Sequence, residues 1–152
     1  MEELLLNLMK RLKEQIPELS LIDEDCGQLQ ALFNGEDRYP LTFPCVLLGD
    51  VNTTWSKKTP FVQMGVSSIT VRLAFNCYDD TSLESGTAHK IRERYGIDRR
   101  IYKSLQGYRK DQEMGRLSRT KSVAYSLPKN VKVYESVYEF EIIDQTAAQT
   151  DL

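Results

Sequence analysis

At 152 residues, with 41% hydrophobic and 28% charged residues, the chain has the length and composition of one folded domain rather than a disordered segment. It contains no run of about 18 apolar residues, which argues against a transmembrane helix. Glu2 and Glu3 stand where a secretory signal would be positively charged. The net charge of −2 conceals an asymmetry, because residues 90–121 hold eleven Lys or Arg and four Asp or Glu, and the remainder is strongly acidic. Three cysteines without C-x-x-C spacing predict no disulfide and a reducing, cytoplasmic location.

The first predicted element is an amphipathic helix over Glu2–Gln15. Its apolar residues recur at helical spacing and form a single stripe: Leu5, Leu8, Met9, Leu12 and Ile16. Pro17 ends the helix, because proline lacks the backbone donor that a further turn requires. We expect Leu5, Leu8 and Leu12 to belong to the core.

Three short apolar segments follow and are predicted to be strands. The first lies within Glu18–Asp23, the second spans Gln28–Phe33, and the third is the buried run Phe43–Leu48. Turn residues at 34–37 separate the second from the third.

Residues Gly49–Gln63 are polar and predict a long loop. It contains the single tryptophan, Trp55, which either folds back as a local plug or serves as an exposed aromatic anchor in an interface. A long loop between two strands is suited to reaching a neighbouring subunit. Trp55, Lys57 and Lys58 are therefore candidate contact residues.

The clearest structural signal is the alternation over Met64–Asp80, which predicts a strand with one dry and one wet face. Arg72 falls on the wet face. The dry face predicts further core residues: Ile69, Val71, Leu73 and Phe75.

The rest of the chain predicts two helical pieces and two strands. The helices span Leu83–Tyr95 and Asp98–Leu105, broken at a glycine, and the strands span Met114–Tyr125 and Val131–Ile143. The order predicts an α+β fold: a mostly antiparallel sheet of four to five strands, with the N-terminal and central helices on one face. We expect residues 1–144 to form one domain and residues 145–152 a flexible tail.

No catalytic or cofactor motif is evident, and we expect neither enzyme activity nor a cofactor. His89 lies among basic residues and is interpreted as a surface histidine. The pair Asp79–Asp80 follows a strand and is interpreted as a turn or cap, although a metal-dependent hydrolase would use such a pair. One histidine and three scattered cysteines lack zinc-site spacing.

The basic segment 90–121 leaves two hypotheses open. Interleaved with tyrosines, it is suited to a nucleic-acid backbone and stacked bases. The alternative hypothesis is a solvated helix face followed by an edge strand protected by positive charge, or an intersubunit role, and the acidic composition of the whole chain favours this alternative. The candidate contact residues in this segment are Arg99, Arg100, Lys103, Arg116 and Arg119.

The order of local motifs carries a family resemblance. An amphipathic helix leads to the strand FPCVLL, followed by GVSSITVRLAFNCYDDT, a helix ending IYKSLQGY and a final strand YESVYEFEIID. Over about residues 2–144 this resembles the tail-terminator and tail-completion proteins of long-tailed bacteriophages and their prophage relatives, of the kind called minor tail protein U.

The resemblance implies a structural, non-enzymatic subunit of a virion or tail-like particle. Such subunits assemble as rings, commonly hexamers, at the end of a tail tube, and present a surface for joining the head. The expected partners are copies of the chain itself, the tail tube and head-joining proteins, with nucleic acid as the alternative and no membrane. The asymmetric charge is compatible with head-to-tail packing.

Overall fold

The computed structural model describes residues 1–36, 40–78 and 81–149. Within these ranges the strands form a five-stranded sheet in the order β1-β2-β3-β5-β4, in which β1 is parallel to β2 and the other neighbours are antiparallel. The predicted α+β fold is confirmed. The elements in chain order are α1 Glu2–Gln15, β1 Leu21–Glu24, α2 Gln28–Phe33, β2 Cys45–Lys57, β3 Gln63–Asn76, α3 His89–Leu105, β4 Ser118–Leu127, β5 Val131–Asp144 and a 3₁₀ turn at Thr146–Ala148.

The helices α1 and α3 cover one face of the sheet. The α1 stripe is centred on Leu4, Leu8 and Leu12, all buried, with Leu5 partly buried beside it. Burying each such side chain contributes about 1.5–3 kcal/mol. The sheet and α3 supply the rest of this core: Ile69, Val71, Leu73, Phe75, Ile101, Leu105, Tyr134, Tyr138 and Phe140.

A polar strap joins the end of α1 to α3. Arg11 donates Nε to the carbonyl of Ser104 at 2.6 Å, and the Ser104 hydroxyl donates to Oε1 of Gln15 at 2.5 Å. Because Ser104 is buried, these bonds satisfy a group that would otherwise be costly to remove from water. They fix α3 against α1 at its C-terminal end.

The predicted strand over Gln28–Phe33 is wrong, since this segment forms the short helix α2 on the other face of the sheet. Its glutamine, leucine and alanine residues favour helix. The buried Gln28 side chain accepts from the backbone N–H of Cys26 at 2.7 Å and donates to the carbonyl of Glu24 at 2.9 Å, which holds the preceding loop. The second core beneath α2 contains Leu29, Cys45, Leu47, Ala74, Val131 and Val133.

The predicted loop Gly49–Gln63 is also wrong for most of its length. Strand β2 continues to Lys57, passing a register irregularity between Gly49 and Asn52, and the turn is confined to residues 58–62. The hairpin was missed because its distal half is exposed on both sides, which removes the alternation of dry and wet residues. Threonines and a tryptophan, which favour strand, were the remaining signal.

The two predicted helices of the central region are replaced by one. Helix α3 begins at His89 and runs through Gly96, while residues 83–88 form turns held by Ser85. A glycine costs about 1 kcal/mol in a helix, and packing of the buried Ile101 and Leu105 outweighs that cost.

The strand predicted from Met114 begins later, at Ser118. Met114 instead makes an isolated bridge to Ile142 of β5, and the chain turns before entering β4. Strand β4 lies at the edge of the sheet and is exposed over most of its length. Arg119 and Lys121 give this edge a positive charge, which discourages pairing with a foreign strand.

Candidate interaction surfaces

Arg72 of β3 is the centre of a polar cluster on the α2 side of the sheet. Its Nε donates to Oε1 of Glu135 at 2.8 Å, its Nη2 lies 2.9 Å from Oδ2 of Asp50, and its Nη1 pairs with the carboxylate of Asp25. The hydroxyl of Tyr125 donates to the same Glu135 oxygen at 3.0 Å. One guanidinium thus joins acids from β5, from β2 and from the loop after β1.

The charges of this cluster are suited to a structural role, because the guanidinium stays protonated among its carboxylate partners. Burial would lower the pKa of Arg72, but hydrogen bonds to Asp50 and Asp25 outweigh that effect and the pKa is raised. The backbone of β2 passes close to Asp25 at Gly49. A side chain at this position would clash, since its Cβ would lie 2.6 Å from the Cβ of Asp25. Residual burial and the neighbouring acids raise the pKa of the Cys26 thiol, which disfavours the nucleophilic thiolate.

Most of the basic candidates are engaged within the fold. Arg100 of α3 contacts Glu18 at 2.6 Å and donates to the carbonyl of Gln15 at 3.1 Å. The Cζ of Arg119 lies 3.9 Å from the centroid of the Tyr102 ring, a cation–π contact between β4 and α3. These side chains hold elements together and are less available to an external partner.

The three other basic candidates differ in their contacts. Arg116 donates to the carbonyl of Gly107 at 2.9 Å and closes the turn after α3. Arg99 and Lys103, in contrast, are exposed on α3, as are Arg92 of the same helix and Lys121 of β4. The structure therefore brings the basic candidates to one region, formed by α3 and the start of β4.

Trp55 lines a cleft at the end of the sheet where β3 begins and β5 ends, here called the Trp55 cleft. The cleft has a volume of about 220 Å³. The Trp55 ring lies over Gly65, where a Cβ would come within 2.8 Å of its Cε3, and the side chain is 42% exposed. One side of Trp55 therefore packs locally and the other is open to solvent, while its role as an interface anchor stays a prediction. The other apolar lining residues are Met1, Leu4, Met114, Phe140, Ile142 and Ile143.

The last residue of β2, Lys57, and the turn at residues 58–62 form the end of the β2–β3 hairpin, here called the hairpin tip. Lys57 and Lys58 are exposed, and their role as contact residues stays a prediction. No sequence pattern singles out Phe61, which is 63% exposed. An exposed phenylalanine next to Pro60 in a turn was the available signal. Phe61 does not line the Trp55 cleft of its own chain.

The remaining chemical candidates form no assembled site. His89 lies at the exposed start of α3, 3.7 Å from Glu93. Asp79–Asp80 fall outside the described residues. Among residues 1–36, 40–78 and 81–149, no group of three or more His, Cys, Asp or Glu is placed to hold a metal ion. In the same part of the chain, no helix combines the length and apolar character needed to cross a membrane.

No protein-family model and no curated protein sequence matches the chain. Among solved structures, the fold is similar to a chain in the structure described as the virion of a native gene transfer agent (GTA) particle. The match has a TM-score of 0.60 and covers 92% of this chain and 92% of that chain. The sequence identity is 10%, so the likeness is one of fold.

Proposed function

We propose that this chain is a structural component of a phage-like virion, and specifically a tail-terminator-like subunit. In this role, copies of the chain form a ring at the end of a tail tube, where the head is joined. The observation that carries the proposal is the fold likeness to a chain of the gene transfer agent virion, which extends over 92% of both chains. The sequence resemblance to tail-terminator proteins supports the same class through a different property, the order of local motifs.

The chemistry of the described residues is compatible with a non-enzymatic role. The charged groups of the Arg72 cluster are paired with one another across three elements. Such an arrangement holds the backbone of these elements in place, and its charged groups are already paired with one another. Assembly with other virion proteins requires exposed contact surfaces, and the hairpin tip, the Trp55 cleft and the Arg99–Lys103 face are the candidates.

Nucleic-acid binding through the basic segment receives less support. Binding of a phosphate backbone depends on accessible Lys and Arg side chains that neutralise several phosphates. Arg100, Arg116 and Arg119 already make contacts within the fold. Arg99 and Lys103 cover about one turn of α3, and the other exposed cations of the segment, such as Arg92 and Lys121, lie on another turn of the helix and on β4.

The proposal is tested with the purified full chain. Size-exclusion chromatography with light scattering over a wide concentration range gives the mass, and electron microscopy shows the shape of the assembly. We then add tail tubes assembled from a candidate tube protein of the source genome. Rings, and binding restricted to tube ends, are expected. A monomer at every concentration that leaves tube ends bare would contradict the proposal.

A further inference from the structure

We propose that the hairpin tip of one copy docks in the Trp55 cleft of a second copy of this chain. The contact rests on the proposed role as a ring subunit and assigns the two surfaces that meet. The tip supplies one exposed apolar side chain, Phe61, and the two lysines that precede it, Lys57 and Lys58. The cleft supplies an apolar floor with an acidic surround.

The size and lining of the cleft favour a side chain as its occupant. Its volume of about 220 Å³ lies below the about 300–1,000 Å³ typical of small-molecule pockets. Trp55 at its rim is of the residue type most enriched at the energetic centres of protein interfaces. Phe61, at 63% exposure, is a large apolar side chain near this end of the sheet that its own chain leaves uncovered.

The charges of the two surfaces are complementary. The tip, residues 57–62, contains Lys57 and Lys58 and no acid. The cleft and its immediate surroundings carry an excess of acids, opposed by Arg109, Lys110 and the amino group of Met1: Glu2, Glu3, Asp111, Glu113 and Asp144.

Two of these acids are held in the ionised form. A hydrogen bond from Lys110 lowers the pKa of Asp111, and hydrogen bonds from Thr146 lower that of Asp144. A cationic tip is therefore attracted to the cleft at neutral pH, which steers the encounter and fixes its register.

The contact joins two different surfaces of the chain. If every copy offers its tip to the next copy and the rotation closes, the product is a ring. If two copies exchange tips, the product is a dimer. Both arrangements use the same residues, and light scattering distinguishes them.

The first test exchanges the charges. One variant carries Lys57→Glu with Lys58→Glu, and the other carries Glu3→Lys with Glu113→Lys, both at exposed positions. Each variant alone is expected to assemble about tenfold more weakly or worse than the wild type, because like charges then face each other. An equimolar mixture is expected to regain assembly, since each reversed tip now meets an oppositely charged cleft. A control, Lys10→Glu with Lys129→Glu, makes the same change in net charge at two exposed positions outside the tip and the cleft lining, and is expected to assemble like the wild type.

The second test removes the anchor. Phe61→Ser is expected to weaken assembly by about tenfold or more. Phe33→Ser removes another exposed phenylalanine, 43% exposed on α2, and is expected to leave assembly unchanged. Thermal unfolding of each variant checks that the fold is retained.

Several outcomes overturn the contact. Tip variants that assemble like the wild type, a charge-exchange mixture that regains nothing, or an equal loss in both controls would each do so. The proposed function fails separately, when the wild type neither forms rings nor binds tube ends. If the wild type forms rings and the tip variants do so equally well, the contact alone is wrong.

Discussion

Arg72 and Glu135 are direct cross-strand partners, and their side chains form a hydrogen bond of 2.8 Å between Nε and Oε1. The same guanidinium reaches Asp50 on β2 and Asp25 after β1. A single side chain thereby ties the loop leading to α2 onto three strands of the sheet. The Arg72 cluster lies at the edge of the second core, next to Leu29 of α2.

Replacing Arg72 with Met is expected to lower the free energy of unfolding by about 2–4 kcal/mol, because three carboxylates then share a partly buried site without a cation. Urea unfolding at neutral pH measures the change. Arg72→Lys keeps the charge but loses the fork of donors, and is expected to fall between the two. Arg99→Met, at an exposed position, serves as control with a change within about 0.5 kcal/mol. Equal stability of Arg72→Met and the wild type would show that the cluster holds nothing in place.

Replacing Gly96, within α3, and Gly107, just after α3, by alanine is expected to change the free energy of unfolding in opposite directions. Gly96 lies inside α3 with open space around it, so Gly96→Ala is expected to stabilise by about 0.5–1 kcal/mol. Gly107 also has open space but a φ of 78°, so Gly107→Ala is expected to destabilise by about 1–2 kcal/mol. Denaturant unfolding of both variants measures these changes in the free energy of unfolding. A loss of stability in Gly96→Ala would mean that α3 does not continue through this residue.

Asp98 of α3 is expected to make stability depend on pH. Burial raises the pKa of its carboxyl, despite the nearby Arg119 and Arg99. Between the unfolded value near 3.8 and the raised folded value, the folded state binds more protons, so stability falls as pH rises through this window. The full penalty is present at neutral pH.

Asp98→Asn removes that penalty and is expected to unfold at a higher temperature than the wild type at neutral pH. The advantage is expected to vanish in acid below the unfolded value, where both forms are uncharged. Asp111→Asn is the matched control of opposite sign, because Lys110 lowers the pKa of Asp111 and the charge is favourable at neutral pH. Thermal unfolding of both variants at neutral pH and at a pH below the unfolded value measures these effects. If Asp98→Asn kept its higher unfolding temperature unchanged in acid, ionisation of Asp98 would be excluded as the cause.

The engaged state of the basic side chains leads us to expect no salt-dependent binding of duplex or single-stranded DNA. Fluorescence anisotropy of labelled oligonucleotides at low salt is the measurement. Affinity that falls steeply with salt concentration, and that Arg99→Glu with Lys103→Glu abolishes, would instead favour the nucleic-acid hypothesis.

The parts of the fold that could be predicted are those in which local signals agree. In α1 the apolar stripe, the acids in the first turn and Pro17 all indicate one helix, and its predicted bounds, Glu2–Gln15, are those observed. Strand β3 alternates because one of its faces lies against α1 and α3. The segment that forms α2 is only six residues long, too short for a helical period to be distinguished from a strand.

The candidate surfaces were partly accessible from sequence. Lys57, Lys58 and Trp55 were predicted as candidate contact residues, although the segment was expected to be a loop. The Arg72 cluster was missed because its acids come from separate parts of the chain and meet only when the sheet forms. Phe61 was missed because one apolar residue in a turn carries no periodic signal.

The pairing of β3 with β5 is unbroken over 14 residue pairs, from Gln63 with Asp144 to Asn76 with Val131. At about 3.4 Å per residue this ladder is a strut of about 44 Å. Because the load on the hairpin would be shared among all of these residue pairs, we expect the far end of β3 to move with the tip. A partner that displaces one end of the sheet is then expected to displace the other, and in the proposed ring the subunits would tilt together.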